Sequence, residues 1–309
     1  MKKLSVLMIT YNHEQYIAQA LDSVLDQRVD FDYEIVIGED CSTDSTREIL
    51  KKYKAKFPDR VVLLERGKNL GMIRNLVDTL QHCTGEYIAL LEGDDYWTDV
   101  DKLQKQIAFL DAHNDVAFYC HNALVVYEDS DQESHPFHAD REDAFYTVKD
   151  LFPNFIPTCS TVFRSGLFSD IPEWFYDMPM ADWPLHVMNA RFGKFFYSRQ
   201  IMSAYRIHSG GVWSRKQQMS ILTNSIASAE TLNKYLDYRY HDHITKLLMS
   251  WDSDVARILL ENGNPGEAVK YYHRSFLRKP GKRVVRYIKN IVRAYIFILM
   301  NKMVGQPSK

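Results

Sequence analysis

Cysteine is scarce in this chain: 309 residues hold four, Cys41, Cys83, Cys120 and Cys159, about 40 residues apart and in no paired spacing. That spacing excludes a zinc knuckle and a disulfide framework, and it fits a reducing compartment. Neither charge sign is in excess, since 38 Lys and Arg face 40 Asp and Glu for a net charge of −2. Nothing in that balance suggests nucleic acid as a partner. Long apolar runs are missing too. Met1-Lys2-Lys3-Leu4 leads directly into a strand-like segment without the apolar stretch of a signal peptide. Ala294 to Met300 is the uninterrupted apolar part of the last segment, far below the ~20 residues that span a bilayer. A cytoplasmic location is therefore expected.

A core is present. Hydrophobic residues make up 46 % and charged residues 25 %, an ordinary globular balance. The length suits one large α/β domain with a smaller appendage. Through the first 120 residues, buried-strand and amphipathic-helix patterns alternate. Leu4–Ile9, Tyr33–Gly38, Val61–Leu64 and Tyr87–Leu91 read as strands. Ile17, Leu21, Val24 and Leu25 recur at helical spacing after the first of them. Ser42-Thr43-Asp44 supplies capping residues for a second helix, Gly71 marks a turn before a third, and Asp99 reads as the cap of a fourth. This alternation predicts a Rossmann-like, mostly parallel sheet with helices on both faces.

Ligands of such sheets bind beyond the carboxyl ends of the strands. Polar residues gather at three of those ends: Thr10-Tyr11-Asn12, Glu39-Asp40, and Glu92-Gly93-Asp94-Asp95. Acids clustered there repel one another unless a cation or a hydrogen-bonded ligand intervenes. Mg²⁺ or Mn²⁺ held by one or two carboxylates, with phosphate oxygens completing its shell, would neutralise a leaving diphosphate. An acidic turn capping the next helix is the plainer alternative.

The opening Leu4-Ser5-Val6-Leu7-Met8-Ile9-Thr10-Tyr11-Asn12 resembles the first strand of family 2 glycosyltransferases of the GT-A fold. Glu39-Asp40-Cys41-Ser42-Thr43-Asp44, Asn69-Leu70-Gly71-Met72-Ile73-Arg74-Asn75 and Glu92 to Asp95 are similar to that family's next three motifs, the last being its DXD motif. The family's usual acidic pair is two aspartates and a glycine, where this chain has Glu39, Asp40 and Cys41. The likeness covers about residues 4–110 and continues more loosely to about 214. The resemblance implies an inverting transferase that moves a sugar from a nucleotide-diphosphate sugar to a glycan or lipid-linked acceptor, in assembly of a bacterial surface polysaccharide or lipopolysaccharide. It implies nucleotide contacts at Thr10, Tyr11, Asn12, Glu14, Asp40, Arg74 and Asp94, and metal ligands at Asp94, Asp95 and His208.

In Met180-Ala181-Asp182-Trp183-Pro184, Asp182 is the sole carboxylate and the candidate base. A helix-starting aspartate ahead of Pro184 is compatible with that role. Tyr205-Arg206-Ile207-His208 looks like the loop that closes the family's active site. Arg206, His208 and Trp213 are its candidates for the diphosphate and lid, with Gly210-Gly211 as a hinge.

The expected organisation is a GT-A catalytic domain over residues 1–213 and a helical region over 214–309. Within the first, 1–115 forms the nucleotide-binding half, and 116–213 the acceptor half and lid. In the helical region Ala256 to Pro280 resembles one tetratricopeptide-like helix pair. Arg286, Lys289 and Arg293 lie on one stripe of the last segment, 283–300. That segment either docks on the protein or lies in the inner membrane interface as a peripheral contact. An oligomer is compatible with the sequence. Two other readings remain open at this level. A non-catalytic nucleotide or carbohydrate binder would need the metal cluster without Asp182. A sugar-nucleotide nucleotidyltransferase would need a glycine-rich first turn, where this chain has Thr10-Tyr11-Asn12-His13.

Overall fold

The computed structural model describes residues 2–153, 155–211, 218–279, 287–292 and 294–296. The chain divides into two compact units, residues 1–214 and 215–309. The first begins with β1 (Leu4–Thr10), buried along its whole length, as a strand covered on both faces must be. α1 (Ile17–Leu25) follows and buries Ile17, Ala20, Leu21 and Val24, an i, i+3, i+4, i+7 stripe. β2 (Tyr33–Glu39) is again buried throughout. α2 (Thr46–Lys56) starts where Asp44 Oδ1 accepts the Thr46 N–H at 3.0 Å, satisfying one of the orphan donors of a helix start. β3 (Val61–Glu65) leads to α3 (Met72–Gln81). Gly71 precedes α3 with φ +81°, in the left-handed region that glycine enters without a Cβ clash.

β4 (Tyr87–Glu92) stops at the acidic turn, and β5 (Tyr96–Trp97) and α4 (Lys102–Ala112) come next. The N-cap of α4 is Asp101, not Asp99. Asp99 sits just upstream, its Oδ1 accepting the Asp101 N–H at 2.9 Å. Two aspartates flank Val100, and the pattern alone does not choose between them. β6 (Val116–Tyr127), β7 (His135–Pro136), β8 (Ala144–Tyr146), β9 (Val162–Arg164), α5 (Asp182–Ala190) and β10 (Lys194–Ile207) complete the first unit.

The strand order is β3-β2-β1-β4-β9-β6-β10-β5. β3, β2, β1 and β4 are mutually parallel, as the strand–helix alternation predicts. β9 then runs antiparallel to both β4 and β6, and β10 is parallel to β6. Two reversals cancel, so β6 and β10 point the same way as β4. The carboxyl ends of β1, β2, β4, β6 and β10 therefore share one edge of the sheet, and the site is built there.

The second unit contains α6 (Gln218–Tyr235), α7 (His241–Glu261), α8 (Pro265–Arg278) and helical turns at 287–292 and 294–296. α7 and α8 form the helix pair expected from sequence, joined through Gly263 at φ +75°. Asp252, fully buried on α7, receives Arg274 Nε at 2.8 Å and Arg278 Nε at 2.6 Å. A buried carboxylate needs such partners.

Lys102 is a buried cation at the start of α4, fully inaccessible. Its Nζ donates to Gln106 Oε1 at 2.7 Å and lies 4.1 Å from the Trp97 ring centre. Burial lowers its pKa to about 7. The unfolded chain holds this proton up to about pH 10, and the folded chain releases it near 7, so folding costs most at and below pH 7. The wild type is expected to gain stability relative to Lys102→Met as pH rises from 7 towards 10, by up to about 1.4 kcal/mol per pH unit. Urea unfolding of both proteins across that range checks it; parallel stability curves contradict it.

Candidate active site

A cleft of about 340 Å³ opens at the shared strand edge. Its walls come from the end of β1 (Thr10, Tyr11, His13), from Asp40 after β2, from Asn69, Gly71 and Met72 at the start of α3, from Glu92, Asp94 and Asp95 at the end of β4, and from Tyr205, Arg206, Gly210 and Gly211 around the end of β10. Asp40 and Asp94, on two different strand ends, thus face one cavity.

The β1 and β4 ends meet closely. A Cβ on Gly93 would stand 2.6 Å from Thr10 Oγ1 and 3.0 Å from His13 Nδ1, so the acidic turn needs glycine there. Asp94 is flanked by two imidazoles: His208 Nε2 is 3.1 Å and His13 Nε2 is 3.5 Å from its Oδ2. Burial works against an ionised Asp94, but His13 and the His208 hydrogen bond outweigh it and hold the carboxyl below its usual range. Its neighbours move the other way. Burial, then Asp94, Asp95 and Asp182, push Glu92 well up. Burial and Asp94 do the same to Asp95. One ionised acid between two that resist ionisation is the signature of a crowded anionic site. Burial lowers the pKa of His13, against the opposing pull of Asp94.

Asp95 Oδ1 accepts the Arg206 N–H at 2.8 Å, while its buried Oδ2 has no hydrogen-bond partner. The guanidinium of Arg206 is committed: Nε donates to the Asp94 carbonyl at 2.6 Å, one terminal nitrogen to Gln19 Oε1 at 2.7 Å, and the other to Glu128. It lies between the rings of Tyr16 and Tyr96, 4.6 and 5.0 Å from their centres. The Ser209 N–H donates to Asp129. The segment leaving β10 is thus tied to the residues that follow β6, and Arg206 is a strap across the β4 turn.

Asp40 is buried, and its two oxygens accept the Leu70 and Gly71 N–H groups at 2.7 and 2.9 Å. It therefore fixes the turn before α3; a carboxylate still has lone pairs beyond these two bonds. Glu39 is fully buried and held by Arg47, and its Oε1 accepts the Ser42 N–H at 2.6 Å. Cys41 has φ +62°, in the left-handed region that favours glycine.

Several expected site residues lie off the cleft. Asn12 Oδ1 accepts the Thr43 N–H at 2.8 Å, and Glu14 Oε2 accepts the Ser45 N–H at 2.8 Å. Both bind the loop that starts α2, and neither lines the cleft. Arg74 is exposed on α3, its guanidinium 5.1 Å from the Tyr176 ring centre, and is also absent from the cleft wall. Asp182 is the first residue of α5 and does not line the cavity, though its charge reaches Glu92 and Tyr205. Trp213 lies outside the described residues. His13 was missed by sequence reasoning. Its signal was present: an ionisable residue one step beyond the polar tip of β1.

Among the described residues, no three His, Cys, Asp or Glu side chains form a ready-made metal cage. The donor set nevertheless suits a hard divalent cation of the Mg²⁺ or Mn²⁺ kind. Such ions take one or two carboxylates and complete their shell with water and substrate phosphates, and Asp95 Oδ2 is a buried oxygen still lacking a partner.

The model of the family described as glycosyl transferase family 2 matches residues 5–172. The chain belongs to that family. An uncharacterized protein of Mycobacterium tuberculosis is 40 % identical over 213 residues, 68 % of this chain and 60 % of that protein. The match thus spans less than two thirds of this relative's length. Poly(ribitol-phosphate) β-N-acetylglucosaminyltransferase TarS of Staphylococcus aureus is 37 % identical over 118 residues, 37 % of this chain and 20 % of TarS. A crystal structure of TarS in complex with UDP-GlcNAc matches with a TM-score of 0.58 at 18 % identity, covering 99 % of this chain and 93 % of that one. A mannosyltransferase from Pyrobaculum calidifontis, in complex with GDP-Man and Mn²⁺, gives a TM-score of 0.55 at 17 % identity, covering 97 % and 88 %. At these identities the structural matches establish a shared GT-A fold.

The left-handed backbone at Cys41 costs a residue with a Cβ about 1–2 kcal/mol. Cys41→Gly is expected to raise the unfolding free energy by about 0.5–1 kcal/mol, after the larger entropy loss of glycine. Urea denaturation measures it, and a destabilised variant would contradict the strain assigned to this turn.

Proposed function

We propose that this chain transfers a sugar from a nucleoside-diphosphate sugar to an acceptor hydroxyl, with inversion at the anomeric carbon, in the assembly of a bacterial surface glycan. The observation that carries the proposal is the single cleft shared by Thr10, Asp40, Asp94 and Asp95. Family membership supports the chemistry, and the structures of TarS with UDP-GlcNAc and of the mannosyltransferase with GDP-Man support the donor class.

Thr10, Tyr11 and Asp40 line the end of the cleft suited to the nucleoside, and Asp94 and Asp95 the end suited to the diphosphate. Asp94, Asp95 and, after local rearrangement, His208 would hold a divalent cation. Such a cation supplies charge neutralisation for the departing diphosphate. Asp182 takes the proton from the acceptor hydroxyl as that oxygen bonds to the anomeric carbon. The bond from that carbon to the diphosphate oxygen breaks on the opposite face, so one displacement inverts the configuration. The electrostatic reach of Asp182 to Glu92 and Tyr205 supports its presence beside the reacting end of the donor. Arg206, already engaged by Glu128 and Gln19, acts by holding the turn that carries Asp94 and Asp95.

Asp182→Asn is expected to lower kcat by about 10²–10⁴-fold, the range of a lost general base, with the donor-induced rise in Tm retained. Unchanged turnover removes Asp182 as the base. Asp94→Ala is expected to abolish the extra Tm shift that Mn²⁺ adds to a nucleoside diphosphate, since that shift reports ligand bound to the folded state. A metal-dependent shift that survives would rule out Asp94 as the ion's anchor.

A further inference from the structure

The second unit carries a surface that transfer chemistry does not use. Eleven of the chain's 38 basic residues, and none of its 40 acidic ones, lie in residues 268–309. The near-neutral net charge of the whole chain conceals this asymmetry. Exposed apolar side chains concentrate in the same region. Among the described residues, four of the ten exposed large hydrophobic side chains fall between 288 and 296: Ile288, Val292, Tyr295 and Ile296, each at least half exposed.

These four recur at i, i+4, i+7 and i+8, the spacing of a helical face, and 287–292 and 294–296 are each helical. Other side chains of these two pieces pack inward. Tyr287 stacks on Phe276 at 4.4 Å between ring centres and meets His273 Nδ1 at 2.7 Å through its hydroxyl, and Ala294 is fully buried. The segment is therefore docked along one side while its apolar side faces outward, and Lys289 is exposed beside it. The two alternatives that the sequence left open, a docked helix and an interfacial one, are compatible on separate faces.

We propose that this face lies on an anionic phospholipid bilayer, with Ile288, Val292, Tyr295 and Ile296 entering the boundary between headgroups and acyl chains. Charge complementarity selects this occupant. Lys270, Arg274, Arg278 and Lys279 are already paired with Glu267, Asp252, Glu230 and Asp242, but residues 280–309 add seven basic residues and no carboxylate. Such a composition is attracted to a negatively charged leaflet, where an amphipathic segment lies in the interface. No helix among the described residues is long and apolar enough to cross a membrane, so the contact is peripheral. The proposal is independent of the transfer chemistry and of the residues assigned to it.

The test is flotation of the full chain with vesicles of phosphatidylcholine alone, and with vesicles of roughly three parts phosphatidylcholine to one part phosphatidylglycerol. Partition is expected to be on the order of tenfold stronger on the anionic vesicles and to weaken with salt. Ile288→Asp combined with Ile296→Asp should reduce it about tenfold or more, because charge replaces buried apolar contact. The donor-induced Tm shift should be unaltered in that variant, which shows that the first unit is intact. If the double variant lacks a cooperative transition, Val292→Ser with Lys289→Glu is read in its place, with the same expected loss. Equal partition into both vesicle types, or undiminished binding by the variants, overturns the proposal. So does absent vesicle binding with a concentration-dependent oligomer that the variants dissolve, which would make the face a contact between copies of this chain.

Discussion

Three carboxyl groups within four residues, Glu92, Asp94 and Asp95 at the end of a buried strand, are the constraint around which this site is arranged. Their mutual repulsion in a poorly solvated cleft is of the kind that shifts one pKa against another. The protein settles it by ionising Asp94 beside two imidazoles and raising its two neighbours. The turn that makes this cluster depends on Gly93, since only a residue without Cβ fits against Thr10 and His13. Repulsion, turn and imidazoles are thus one unit, and removing any part alters the charge that the other parts can hold.

The sheet explains why so many distant segments contribute. β9 reverses direction twice in effect, once against β4 and once against β6, so the second half of the sheet ends on the same edge as the first. β10 consequently delivers Tyr205 to His208 to the β4 turn, and Arg206 and Ser209 are secured to Glu128 and Asp129 at the end of β6. That attachment sets Gly210 and Gly211, which line the cleft, on a fixed base.

Strand ends were legible from sequence because a buried strand reads as an apolar run, and the polar residue that ends the run falls at the sheet edge. Thr10, Asp40 and Asp94 were found in this way and do share a cavity. Asn12, Glu14 and Arg74 belong to the same motifs, but backbone hydrogen bonds and helix phase carry them elsewhere, and motif membership does not encode direction. The antiparallel β9 was not legible: three residues, Val162–Arg164, are too short for a period to show. Lys102 was hidden for a related reason. A lysine beside Asp99 and Asp101 looks like a solvated helix start, and only the fold reveals that Trp97 and Gln106 enclose it.

The hydrogen bonds of His208 bear directly on metal binding. A neutral imidazole has one N–H, and the bond its other nitrogen makes decides which nitrogen carries it. Gly210 N–H donates to His208 Nδ1 at 3.2 Å, so Nδ1 offers its lone pair there and Nε2 bears the proton. That proton points to Asp94 Oδ2 at 3.1 Å. In this arrangement Nε2 is a donor to the carboxylate and has no lone pair for a cation. Coordination through Nε2 requires the proton on Nδ1, where it would oppose the Gly210 N–H. If a cation were held through Nε2, the Gly210 N–H would have to turn away from Nδ1, so His208 would tie that step to the glycines that follow it.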